Sequence, residues 1–225
     1  MKIAIHQPNY IPWIGYFYKI SQVDKFIILD NAKYSKGSII NRNKIKNANG
    51  GITMLTIPIH YRTANINEIT IFKNGWEEKH WKTIFLNYKK TPYFNEYKNE
   101  FEKIFLKKWD ILSNINITLI KLILSILNIN TEIIIASELK KDFGFKNDRI
   151  VNICKYLNAD EYLSGNGAKK YNIEEEYNKA GIKLSYTSFV HPIYNQLYGN
   201  FEPNMSIIDM IFNDAKTCID FFHKK

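Results

Sequence analysis

At 225 residues, with 45% hydrophobic and 15% aromatic content, the chain is long enough to bury a substantial core as one domain, with or without an insertion. Its formal charge of +9 points first to nucleic acid. The lysines, however, come as scattered pairs (Lys89-Lys90, Lys107-Lys108, Lys140-Lys141, Lys169-Lys170, Lys224-Lys225), with no longer basic block and no nucleic-acid motif, so a solvated basic face or a site for an anionic small molecule fits better.

Residues 2–5 form an apolar run of strand length, followed by His6-Gln7-Pro8-Asn9-Tyr10-Ile11-Pro12-Trp13-Ile14-Gly15-Tyr16-Phe17. Trp13, Phe17 and Ile20 fall on one stripe of a helix, and Pro12 suits a first helical position. The loop between strand and helix is stiffened by two prolines and carries an imidazole, two carboxamides and a phenol. Open α/β sheets bind ligands at such strand ends. The plainer reading is an aromatic turn with His6 bonded in the core.

A second strand is expected at 25–29, closing on Asp30, whose carboxylate could accept a proton, hold a ribose or orient His6, or merely cap nearby amides. Asn41-Arg42-Asn43 reads as a polar loop in which a scarce arginine offers a planar fork for phosphate or carboxylate. Strands at 52–57 and 66–72 precede three helices at 76–89, 92–107 and 113–127. In the first of these helices Trp81, Ile84, Phe85 and Tyr88 make the apolar face, leaving Trp76 and His80 on a separate stripe able to face a cleft. Strands return at 132–135, 161–164 and 182–186, with helices between and after them, including one capped by Asn147-Asp148 and one led in by Pro203. This order predicts an α/β fold: a mostly parallel sheet with flanking helices, Rossmann-like, in one domain over 1–225 with a helical insertion or cap at 76–130.

Ser164-Gly165-Asn166-Gly167 leaves a predicted strand through a Gly-rich turn, a setting that lets backbone approach a phosphate. Tyr194 and Gln196 sit in an aromatic–carboxamide loop that could close over a ligand. The sequence shows no Walker motif, metal-ligand cluster, Gly-x-Ser-x-Gly elbow or dinucleotide fingerprint, and no covalent nucleophile is visible. Cys154 and Cys218 are isolated, no signal-peptide core opens the chain, and the apolar helix near residue 120 carries a polar face. A cytoplasmic protein without a membrane span is expected, starting at or near Met1.

Taken together, these residues resemble the WbqC-like family of bacterial proteins along essentially the whole chain. The resemblance rests on the His6-to-Phe17 run, Phe26-Ile27-Ile28-Leu29-Asp30, Asn41-Arg42-Asn43-x-Ile45, Leu55-Thr56-Ile57-Pro58, Trp76 with His80, and Pro92-Tyr93-Phe94. It continues through Arg149-Ile150, Tyr162-Leu163-Ser164-Gly165-x-Gly167-Ala168 and Tyr194-x-Gln196-x-x-Gly199-x-Phe201-x-Pro203-x-Met205-Ser206. It implies work in O-antigen and related surface-glycan (lipopolysaccharide) assembly, such as acyl or aminoacyl transfer to a nucleotide-linked amino sugar. On that reading His6 is the general base, oriented by Asp30; Gln7, Asn9, Asn41 and Arg42 hold carbonyl or phosphate groups; Tyr10, Trp13 and Tyr16 stack on sugar or base.

The opening strand and its Pro- and His-bearing turn are also similar to cytidylyl- and adenylyltransferases and pantothenate synthetase, over about the first thirty residues. That likeness keeps open a nucleotidyltransferase-like enzyme acting on a sugar phosphate. A non-catalytic sugar-nucleotide-binding accessory protein is the third reading. ATP and an acyl donor such as acyl-coenzyme A both fit as co-substrate; the oligomeric state is left open. In geometry, His6, Asn9, Asp30 and Arg42 are expected to converge on one cleft at the carboxyl edge of the sheet. Residues 164–168 should border it, with Trp76 and His80 as its roof.

Overall fold

The computed structural model describes residues 1–223, so the Lys224-Lys225 pair lies outside the described residues. β1 (Lys2–His6), β2 (Lys25–Ile28), β5 (Glu132–Ile135), β6 (Glu161–Ser164) and β7 (Lys183–Tyr186) form one sheet in the order β5-β2-β1-β6-β7. Every neighbouring pair in it is parallel. This is the Rossmann-like α/β fold that the strand–helix alternation predicts. The central strands are near-continuous apolar runs because both faces are covered. Ile3, Ile5 and Ile27 pack on one side with Val151 and Cys154 of α5 (Lys146–Tyr156) and Tyr177 of α6 (Glu174–Lys179). Ala4, Phe26 and Ile28 pack on the other side with Phe17 and Ile20 of α1 (Ile14–Ser21).

That second core also takes in α2 (Trp76–Tyr88), α3 (Phe94–Phe105), α4 (Leu112–Ile126) and the long α7 (Ile207–His223). Tyr88 of α2 and Phe94 and Phe101 of α3 all meet the Phe212 ring of α7, so these two middle helices are fastened to α7 by aromatic contacts. The helices start slightly off the expected residues. Pro12 and Pro92 each precede the first residue of their helix by two positions, and Phe145 rather than Asn147 is the cap of α5. Asn147 instead uses its side chain to hold Glu176 and the backbone of Ile173.

Two expectations change. The polar stretch at Asn41 is not a loop: β3 (Arg42–Lys46) pairs antiparallel with β4 (Ile52–Thr56) in a separate hairpin. Its inward face is Asn43 and Ile45, and Asn43 is tolerated there because its amide donates to the Tyr10 and Ile11 carbonyls at 3.2 and 2.8 Å. The expected strand at 66–72 is a short 3₁₀ turn, Ile66–Glu68, closed by a capping box between Asn65 and Glu68, with only isolated bridges at Thr70 and Ile71.

Candidate active site at the carboxyl edge of the sheet

The chain leaves β1 toward β2 on one side and returns at β6 on the other. The carboxyl ends of β1 and β6 therefore diverge, and open sheets keep their ligand crevice at this switch point. A cleft of about 380 Å³ lies there. Its walls are His6, Trp13, Gly15, Tyr16 and Lys19 from the end of β1 and α1, Gly165, Asn166 and Gly167 from the turn after β6, and Thr187 and Phe189 from the segment after β7.

The loop joining β1 to α1 is strained and tightly held. Ile11 has φ of 34°, a left-handed conformation costly for a β-branched residue and more so before Pro12. Its carbonyl accepts from Asn43 and from Ser206 Oγ (2.7 Å), while the Asn116 amide donates to the carbonyls of Pro8 (2.9 Å) and Ile40 (2.7 Å). Strain that the surroundings over-determine in this way is a mark of functional loops.

Within the cleft His6 donates from Nδ1 to the Gln7 carbonyl at 3.0 Å, which leaves Nε2 as the unprotonated acceptor. The Tyr16 ring meets His6 edge-on at 5.0 Å, and the Tyr16 hydroxyl donates to the same Gln7 carbonyl. Burial first, and then the charge of Lys19, lower the His6 pKa to about 3, so the ring is neutral at physiological pH. Lys19 is the residue that the sequence reading missed. It is only 5% exposed, its ammonium donates to the Ile5 carbonyl at 3.1 Å, and burial alone lowers its pKa to about 7. An amine poised near neutrality in a cleft is suited to accepting and returning a proton.

The start of α1 adds an electropositive edge. No side chain caps it and no acidic residue lies in its first turn. Gly15 has no room for a Cβ, which would overlap the Trp13 indole lying across it. Phe189 holds the same indole edge-on at 5.0 Å. Gly165 and Gly167 differ: a Cβ on either would meet nothing within 4 Å, so packing does not require glycine there and the turn leaves the cleft open. Gly15→Ala is expected to push the indole aside and weaken cleft ligands about 10-fold or more, despite alanine's better helix propensity. Titration of a nucleoside diphosphate by calorimetry checks this.

The other expected site residues are placed elsewhere. Asp30 does not meet His6: its two oxygens accept from the Ser137 amide (2.9 Å) and hydroxyl (2.6 Å), tying the end of β2 to the turn after β5. The order β5-β2-β1 explains this, since β5 brings Ser137 to the flank of β2 away from β1. Arg42 is exposed, donates to the Gly37 carbonyl and lines a separate groove beside the cleft. Gln7 is half-buried, its carbonyl serving His6 and Tyr16, and Asn9 is buried beside the strained loop. Asn41 is structural in its contacts, accepting from Tyr34 and donating to the Ile57 carbonyl.

Tyr10 is fully buried and bonded to His80 Nδ1 at 2.8 Å, and Trp76 packs edge-on against His80. Trp76 and His80 therefore lie inside the core rather than over the cleft, and burial lowers the His80 pKa to about 4. The stripe that the helical wheel separated is covered as well as the first; Phe85 is the residue left outside. Ser164 is buried behind the Gly-rich turn and accepts from Asn172 at 2.9 Å. Tyr194 and Gln196 both donate to Asp209 Oδ1 at 2.8 Å, and Tyr88 donates to Oδ2 at 2.6 Å. Lys46 completes this buried network through Gln196 Oε1 at 3.1 Å. The network anchors the segment between β7 and α7, whose Phe189 reaches the cleft.

Among the described residues no group of three His, Cys, Asp or Glu side chains is placed to hold a metal ion, and no helix is long and apolar enough to cross a membrane.

Comparison with known proteins adds two findings. A model of the WbqC-like protein family matches residues 7–220. A protein of Mycobacterium tuberculosis, named only as uncharacterized protein Rv1507c, is 34% identical over 225 residues, covering 98% of this chain and 96% of that one. No solved structure matches the chain.

Proposed function

The chain belongs to the WbqC-like protein family, and from that premise we propose that it is a cytoplasmic enzyme of bacterial surface-glycan assembly, of the O-antigen kind, forming an amide on a nucleotide-linked amino sugar. The observation that carries this reading is the pairing of a buried amine, Lys19, with a neutral imidazole, His6, in the switch-point cleft. Phosphates of the nucleotide fit the uncapped start of α1 and the open Gly165–Gly167 turn, and Trp13 offers a ring for stacking.

An amino sugar reaches the cleft as an ammonium and must lose a proton before it can attack. Neutral Lys19 takes that proton, while His6 Nε2 accepts a hydrogen bond from the substrate and orients it. The freed amine then attacks the carbonyl of an activated acyl group, a thioester or an acyl adenylate. The C–N bond forms, the C–S or C–O bond breaks, and the thiolate or adenylate leaves. The surplus proton on the new nitrogen passes to the leaving group or solvent, and Lys19 returns its own proton to water. His6, with its low pKa, is a weaker base than Lys19 and serves here chiefly as acceptor.

The rate should therefore rise with pH through a limb near 7, set by Lys19, and show no limb from His6 above pH 5. The reading is tested by incubating the protein with amino-sugar nucleotides, acyl thioesters, and acids or amino acids with ATP, and following the sugar by mass spectrometry. A mass gain of one acyl unit supports it. No gain across a broad panel of nucleotide-linked amino sugars overturns it. The strand order also favours a second reading, nucleotidyl transfer to a sugar phosphate. Pyrophosphate release from a nucleoside triphosphate without amide formation would select that one.

A further inference from the structure

Trp13 lines a second cavity besides the cleft, a groove of about 370 Å³ along the outer face of the β3–β4 hairpin. Its apolar wall is made by Trp13, Ile39 and Met54, the last two half-exposed, and Asn43 and Asn204 add polar lining. Met54 is directly opposite Lys44 across the ladder, so apolar and basic side chains share the outward face while Asn43, Ile45 and Leu55 turn to the core. Arg42, two residues from Lys44 on that face, lines the groove too, its guanidinium fixed by the Gly37 carbonyl. Among the described residues neither cation pairs with a carboxylate.

An apolar trough with two cations at its edge complements one kind of ligand: an apolar chain ending in an anionic or strongly polar carbonyl head. We propose that this groove binds the apolar chain of a carboxylic acid, with Arg42 and Lys44 at its head group, and that Trp13 is the wall shared with the cleft. The inference rests on the amide-forming reading for its purpose, since it gives the acyl group a seat adjoining the amine. It goes beyond that reading in naming the class of acyl group, one with an apolar chain rather than an amino acid. The free acid and its coenzyme A thioester share this chemistry.

The groove can be tested without turnover. Trp76, Trp81 and Trp109 are at most 7% exposed, so a brominated probe in the groove should quench chiefly Trp13. We would titrate the full chain with 6-bromohexanoate, 8-bromooctanoate and 10-bromodecanoate, and use decanoate and decanoyl-coenzyme A as competitors. Affinity should tighten by about 4-fold per added methylene until the groove is filled. Met54→Glu should weaken binding by at least 30-fold and Arg42→Gln by about 10-fold, both at exposed positions where the fold tolerates change; the quench should vanish in Trp13→Phe.

Displacement by decanoate or by its thioester supports the proposal equally, the better competitor identifying the donor. Quenching that persists in Met54→Glu or Trp13→Phe, or that ignores chain length, overturns it. The two proposals fail separately. Groove binding without any acylated sugar sinks the amide-forming reading alone. Acylation whose chain-length preference is unmoved by Met54→Glu sinks the groove alone.

Discussion

Replacing Lys19 by methionine is expected to stabilise the protein and at the same time to abolish its activity. Methionine keeps the length and flexibility of the side chain while removing a buried amine that desolvation disfavours in its charged form. Unfolded, this lysine titrates near 10.5; folded, near 7. Between those values the unfolded chain binds a proton that the folded chain lacks. Stability therefore rises with pH across that window, by up to about 1.4 kcal/mol per pH unit, and the full penalty applies below pH 7. The methionine variant should gain on the order of 2–4 kcal/mol at pH 7 and lose this slope. Chemical denaturation at pH 7, 8.5 and 10 measures both. The proposed amide formation should fall by about 10²–10⁴-fold, the range for loss of a positioned proton acceptor. A loss of stability in this variant would mean that the amine is better satisfied than its single bond to the Ile5 carbonyl implies.

Asp209→Ala should have the largest destabilising effect. The carboxylate is fully buried, and its pKa is raised by desolvation against the opposing pull of Tyr88, Tyr194 and Gln196. Alanine leaves two phenols, an amide and, through Gln196, the Lys46 ammonium without their organising acceptor. Orphaned donors of this kind cost about 1–3 kcal/mol each, so a total of roughly 3–5 kcal/mol is expected, lowering Tm by about 10 °C in a chain of this size. Asp209→Asn keeps an acceptor and a matching volume, and should lose less than half as much. Calorimetry of both variants checks the ratio. The Asp209→Ala protein should also lose order at Phe189, because the same network holds the segment that carries it.

How far the sequence could reveal the site follows from these residues. His6 and the Gly165–Gly167 turn were readable because strand ends and prolines leave local marks, and a parallel sheet brings its carboxyl edges together. Lys19 was hidden by the helix stripe of Trp13, Phe17 and Ile20, which makes it look like an outward residue. One signal was available: Ile14–Ser21 carries a single charged residue and no polar face, and a helix apolar all round is buried together with its one lysine. Asp30 illustrates the opposite failure. Its place at a strand end was legible, but its partner depends on β5 lying beside β2, a pairing over a hundred residues apart that no local pattern encodes. The β3 strand escaped notice because its buried Asn43 and Lys46 are polar, each satisfied by groups distant in sequence. Trp76, His80, Tyr194 and Gln196 have the residue types of a binding site, yet here Trp76 packs on His80, His80 bonds to Tyr10, and Gln196 bonds to Tyr194.

The central claim, a neutral-range lysine in a cleft that receives the nucleotide sugar, is tested most directly by competitive labelling of lysines with an amine-reactive acetylating reagent. Modification at each lysine would be read by mass spectrometry from pH 5 to 11, with and without a saturating nucleotide-linked amino sugar. The account predicts that Lys19 alone among the cleft residues titrates near pH 7, and that the ligand protects it while lysines on the outer helices stay unchanged. Titration of Lys19 near 10.5, or labelling that the bound sugar nucleotide leaves unaltered, would contradict it.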